Sequence, residues 1–123
     1  KKGVTSDVLQ FFPIYNIQLL CCRDWWLEQW EHSELSFPYW RVYHNSYEGA
    51  KIVYNNTEHE LSPDIIVMIP PNTSYATRLY DYEIPETGYN MKGGPVNLNS
   101  ELNEASSKPS LLHFFIHFNI SFK

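Results

Sequence analysis

No stretch of this chain reaches the roughly 18 consecutive apolar residues that a membrane-crossing helix needs. The nearest candidate, Phe11 to Cys22, is interrupted by Pro13, Asn16 and Gln18, so it does not read as the apolar part of a signal either. Cysteine is almost missing. The two present, Cys21 and Cys22, are adjacent, and neighbouring residues have the wrong geometry for an ordinary disulfide. They read as buried, inert thiols of a protein kept in a reducing cytoplasm. Basic residues are also scarce: nine Lys and Arg stand against fourteen Asp and Glu, a formal charge of −5, and they form no cluster. Such a chain does not grip a phosphate backbone by itself. The Asn-x-Ser/Thr triplets that start at Asn55, Asn72 and Asn119 are expected by chance in a chain this rich in Asn.

Signatures of catalysis are lacking too. There is no Gly-x-Ser-x-Gly, no phosphate-cradling glycine loop and no paired-carboxylate motif. Cys21 has no basic neighbour beyond Arg23, so nothing points to an activated thiol. The His-x-His pair that many metal sites build on one strand is absent. His113 and His117 lie four apart, about 13 Å along a strand at ~3.3 Å per residue, too far to share one ion. His44 ends another strand, and His59 sits between Glu58 and Glu60. The reading is therefore no enzyme, no metal and no cofactor.

Aromatic residues are what the chain has in excess. They make up 16% of it, as nine Tyr, seven Phe and four Trp. Together with β-branched residues they suit strands and the walls of ligand pockets, so the expectation is an all-β fold. At 123 residues the chain makes one domain with a modest core. Strands are expected at Ile14 to Cys22, Tyr39 to His44, Ala50 to Tyr54 and Glu58 to Leu61, with an Asn55-Asn56 hairpin turn between the last two. Arg23 to Glu34 fits either a helical turn, with Trp26 and Trp30 four apart, or a twisted continuation of the first strand. Ile65 to Ile69 is an unbroken apolar run closed by Pro70 and Pro71, which cannot continue a ladder. It predicts a buried interior strand, followed by a stiff corner and a strand from Ser74 to Leu79. Residues 81–110 read as a long polar loop holding at most one short strand. The last strand is the most β-like run, LLHFFIHFNISF from Leu111 onward.

Seven or so short strands favour a barrel or sandwich. By face parity Trp40 and His44 share one side of their strand, while His113, Phe115 and His117 share one side of another. Tyr75 leaves the proline corner. Rings interleaved with imidazole and hydroxyl tips suit a pocket for a sugar or similar amphipathic molecule, and equally the core of a small β domain.

The segments WRVYHN, AKIVYNNTEHELSPDIIVMIPPNTSYATR and HFFIHFNI, in that order, resemble the N-terminal sensor domain of AraC-type transcription regulators. The likeness covers about Phe37 to Arg78 and Leu111 to Phe122. It implies a cupin-like double-stranded β-helix or jelly-roll barrel, here truncated in its second half. It further implies a cytoplasmic module that binds a small effector such as a sugar and forms a homodimer. DNA would be bound only through a separate helix-turn-helix domain absent from this chain. Position by position, Tyr75 and Thr77 correspond to residues after the corner, and His113, Phe115 and His117 to inward positions of the last strand; Trp40 and His44 are added from parity alone. A cupin enzyme acting on a small molecule and a carbohydrate-binding β-module are the alternatives. A barrel halted after Leu112 to Phe122 is expected to leave that strand's edge and the side chains of Phe114, Ile116 and Phe118 open to water, and so either to self-associate or to belong to a longer native chain.

Overall fold

Strands and turns, with no helix, make up the described residues, 15–96 and 111–122, of the computed structural model. In chain order the strands are β1 (Tyr15–Leu35), β2 (Trp40–Asn45), β3 (Ala50–Tyr54), β4 (Thr57–Glu60), β5 (Val67–Ile69), β6 (Tyr75–Leu79), β7 (Tyr89–Pro95) and β8 (Leu111–Phe122). They form one sheet in the order β4-β3-β6-β1-β8-β2-β5, with β7 paired to β1. The pairings are antiparallel, and the sheet curls into a half-barrel.

The ambiguous stretch from Arg23 to Glu34 is strand, so β1 runs 21 residues. Its backbone groups are taken by successive neighbours. One edge pairs with β8 from Tyr15 to Leu27. The other pairs with β7 from Trp25 to His32, opposite β6, which meets β1 at His32 and Leu35. Register shifts at Leu19/Cys21, Leu27/Gln29 and His32/Leu35 interrupt the ladder. Each such irregularity bends a strand and raises its twist, which lets one strand follow the wall of a curled sheet. Trp26 and Trp30 consequently do not share a face: Trp30 is in the core, whereas Trp26 is only half-buried.

The β3–β4 hairpin turns at Asn55 and Asn56, whose φ angles of 52° and 61° are the positive pair that a tight primed turn requires. After the double-proline corner Asn72 also has positive φ (60°), and its N–H donates to the Phe37 carbonyl at 2.7 Å. That bond ties the corner to the β1–β2 connection. Gly49 sits at φ 131° beneath the Tyr80 ring, where a Cβ would lie 2.6 Å from a ring carbon.

Three expectations need correction. The apolar run Ile65 to Ile69 is not an interior strand. Only Val67 to Ile69 is strand, at the end of the sheet beside β2, and while Ile69 is buried, Ile66 is 70% and Met68 59% exposed. The prolines do end the ladder, but what they end is an edge. Secondly, β8 is not an open edge: it lies between β1 and β2, paired to both, and Phe114, Ile116 and Phe118 are half-buried. Among the described strands the unpaired edges belong to β4, β5 and the outer side of β7 instead. Thirdly, Cys21 is half-buried and Cys22 exposed, both free, so neither is a buried thiol. Within the polar stretch 81–110, β7 is a seven-residue strand; residues 97–110 lie outside the described part.

The core fills the concave side of the curl. Leu27 and Trp30 of β1, Tyr43 of β2, Ala50 and Ile52 of β3, Tyr75 and Leu79 of β6 and Leu111 of β8 are buried there. In β2 the alternation buries Arg41, Tyr43 and Asn45 and leaves Trp40, Val42 and His44 half-exposed on the other face.

Candidate functional site

On the concave side β1, β2 and β8 leave a cleft of about 300 Å³. Its walls are ring systems: Trp25 and Trp30 from β1, Tyr43 from β2, Phe115 from β8, and Phe37 from the β1–β2 connection. Leu27, Leu35 and Met91 complete the apolar lining, and His32, His113 and His117 supply the polar tips. The β8 side chains make a column, since alternate residues of a strand project from one face. His113 stacks on Phe115 at 5.5 Å, and Phe115 meets His117 at 5.2 Å. Tyr39 extends the column beyond His117 at 4.9 Å. Trp25 presents its edge to Phe115, and Trp30 packs on both Tyr43 and His113.

The imidazoles are held neutral. Burial pushes the His113 pKa down to about 3, with the neighbouring His117 lowering it further. Burial lowers His32 despite an opposing backbone hydrogen bond at Trp30. His117 is lowered by burial first and by the nearby Arg41 charge second. His113 Nδ1–H donates to Asn45 Oδ1 at 2.7 Å, which leaves Nε2 as an acceptor. The Thr77 hydroxyl donates to the Trp30 carbonyl at 2.6 Å and accepts from His32 Nδ1–H at 2.9 Å, fixing the same tautomer there. Both rings are thereby oriented.

Behind the cleft stands a polar group of a different kind. Arg41 is fully buried, with its guanidinium carbon 4.4 Å from the centre of the Phe37 ring and 4.8 Å from that of Tyr75. Nη1 donates to the Tyr75 hydroxyl, which in turn bonds the Tyr43 hydroxyl at 2.6 Å. Burial raises the pKa of both phenols, so they remain neutral hydroxyls.

Of the residues singled out from sequence, His113, Phe115 and His117 come together in this cleft. Tyr75 and Thr77 are buried behind it as supports, Tyr75 for Arg41 and Tyr43, Thr77 for His32. Tyr75 also borders a second cleft of about 390 Å³, between the sheet's free edges, whose walls include Ile52, Tyr54, His59 and Met68. Trp40 and His44 are not in the aromatic cleft. Trp40 stacks on Phe118, and His44 Nε2 bonds the Pro63 carbonyl at 3.0 Å. Their strand is buried in the opposite phase, with Arg41 and Tyr43 inward. Trp25, Trp30, His32, Phe37, Arg41 and Tyr43 were not legible as site residues, although the alternation of β2 places Arg41 and Tyr43 on one face once that phase is known. Among the described residues no three His, Cys, Asp or Glu side chains converge as metal ligands would.

Fold and site together define an all-β half-barrel with an aromatic, imidazole-tipped cleft on its concave side. The chain matches no family model, no curated protein and no solved structure. Among the described residues no helix is long and apolar enough to cross a membrane.

Proposed function

We propose that this chain is a small-molecule-binding module, the effector-sensing part of an AraC-type transcription regulator with a cupin-like barrel. The observation that carries the binding role is the cleft itself. About 300 Å³ of space is lined by rings and by neutral, oriented imidazoles. Ring faces give stacking area to a flat or amphipathic molecule, and imidazole nitrogens give it direction. The regulator assignment rests on the sequence resemblance, with DNA contacts left to a separate helix-turn-helix domain and a homodimer as the working assembly. A natural reading frame that continues into two helix-turn-helix units would support it.

Trp25 and Trp30 line the cleft, so their fluorescence reports occupancy. A small molecule that quenches it should bind at least tenfold more weakly to Phe115→Ala, because a stacking ring is worth about 1 kcal/mol or more beyond its buried area. Tyr54→Ala, in the second cleft, should leave affinity unchanged. The reverse pattern would move the site to the gap between the sheet edges.

A further inference from the structure

Arg41 is 0% exposed, yet among the described residues no carboxylate pairs with it. Its Nε and Nη2 have no hydrogen-bond partner. Buried guanidinium groups are ordinarily paired, because a guanidinium stays charged in proteins and an uncompensated buried charge is strongly unfavourable. The ring faces of Phe37 and Tyr75 offset part of that cost, and the Tyr75 hydroxyl takes one nitrogen. The nitrogens left over form one side of the planar fork. Nε–H and one Nη2–H point in parallel, the arrangement that meets the two oxygens of a carboxylate. A water molecule could occupy one of these donors but would leave the charge uncompensated.

The group adjoins the cleft. Arg41 and Tyr43 lie on the same face of β2, and Tyr43 is a cleft wall. Phe37, which covers the guanidinium, is another wall, on the short connection between β1 and β2. The Arg41 charge is felt at His117, a third. A rotamer change of the half-buried Phe37 side chain would open the guanidinium to the cleft.

We infer that the cleft takes a small monocarboxylic acid, whose flat body lies among the rings and whose carboxylate engages Arg41 side-on through Nε and Nη2. This rests on the binding role proposed above and specifies its ligand. One cation with two free, parallel donors matches a monoanion with two coplanar oxygens. A phosphoryl dianion demands more charge and more donors than the neutral imidazoles of this wall supply. The cleft's volume of about 300 Å³ has room for a body of one ring with substituents.

The test compares matched acids and neutral analogues on the full chain: benzoate against benzamide, and glucuronate against glucose. Tryptophan quenching and thermal shift serve as readouts. At least one acid should bind tenfold or more tightly than its neutral partner and raise the melting temperature. It should also shift the Arg41 Nε–H proton signal downfield, which the neutral analogue should not. Arg41→Lys keeps a charge but loses the fork, and should erase the preference for the acid. Arg41→Gln should do the same; because either variant could fold poorly, the wild-type comparison decides. Equal or tighter binding of the neutral molecules would overturn the carboxylate inference and leave the binding cleft standing. Absence of binding by all four probes up to their solubility would overturn both.

Discussion

A histidine that cannot take up its proton makes stability depend on pH in a definite direction. His113 titrates near 3 in the folded protein against an ordinary 6.5, because burial penalises the imidazolium. Between those values the unfolded chain binds the proton and the folded chain does not. Stability is therefore full above pH 6.5 and falls as pH drops toward 3, by about 1.4 kcal/mol per pH unit for this one group. His32 and His117, both lowered by burial, act in the same direction. Urea midpoints measured at pH 7.5, 6 and 5 should decline steadily, and His113→Gln should flatten the dependence. A midpoint constant down to pH 5 would mean that His113 is not buried as described. At this scale the sequence was a partial guide. The His113, Phe115 and His117 column follows from simple alternation in an uninterrupted strand. Arg41 was hidden because a lone arginine among aromatics reads as a solvent-facing residue. Only its complete burial and the packing of Phe37 and Tyr75 against it show it to be inside.

Among the elements, the strands bounded by turn residues were legible and the irregular ones were not. Asn55-Asn56 and the proline corner announce β3, β4 and β6 through backbone chemistry that needs no tertiary context. β1 hides itself because its bulges break the two-residue period: Leu27 and Trp30 are both in the core, which strict alternation forbids. β7 shows no apolar pattern, since most of its side chains are exposed; it is a strand because its backbone completes the free edge of β1. That pairing makes a specific demand at Gly93, where an added Cβ would collide with the Trp26 carbonyl oxygen and crowd Leu27. Gly93→Ala should push β7 from β1 and cost on the order of 1–3 kcal/mol, as overpacking does. Gly88→Ala sits where a Cβ has open space, so any loss there reports only its φ of 85°. Amide exchange confined to Trp25–His32 and β7 should accelerate in the first variant. Unchanged protection there would show that the pairing is looser than described.

For the whole molecule, the conspicuous feature is the ribbon formed where β1 and β8 run past their other neighbours. Asn16–Leu19 pair with Phe118–Ser121, with Ile17 opposite Ile120, Leu19 opposite Phe118, and the polar Asn16, Gln18, Asn119 and Ser121 on alternate positions. Ile17 is 68% and Leu19 62% exposed. One apolar side of a two-stranded ribbon, open to water, is a surface that association would cover. The proposed homodimer therefore has a place to form that does not depend on an unpaired strand edge. Sedimentation of the chain should give a dimer, and Ile17→Lys together with Leu19→Lys should give a monomer that keeps the cleft's tryptophan fluorescence. A wild-type monomer at high concentration would remove the dimer from the proposal.

The same partnership between β1 and β8 governs how the protein can come into being. The two strands lie near opposite ends of the sequence, with Tyr15 matched to Phe122 and Leu27 to Leu111, yet they are adjacent at the centre of the sheet. During synthesis β1 and β2 emerge early and must wait, apolar faces uncovered, until some seventy residues later the strand that joins them leaves the ribosome. The cleft has no floor before that moment, because His113, Phe115 and His117 all arrive on the joining strand. Closing so large a loop costs chain entropy before any contact returns it, which places such topologies among the slower folders. A nascent chain of this design is thus most exposed to premature aggregation just before β8 emerges, and a small molecule that fits the cleft can rescue it only after that strand is in place.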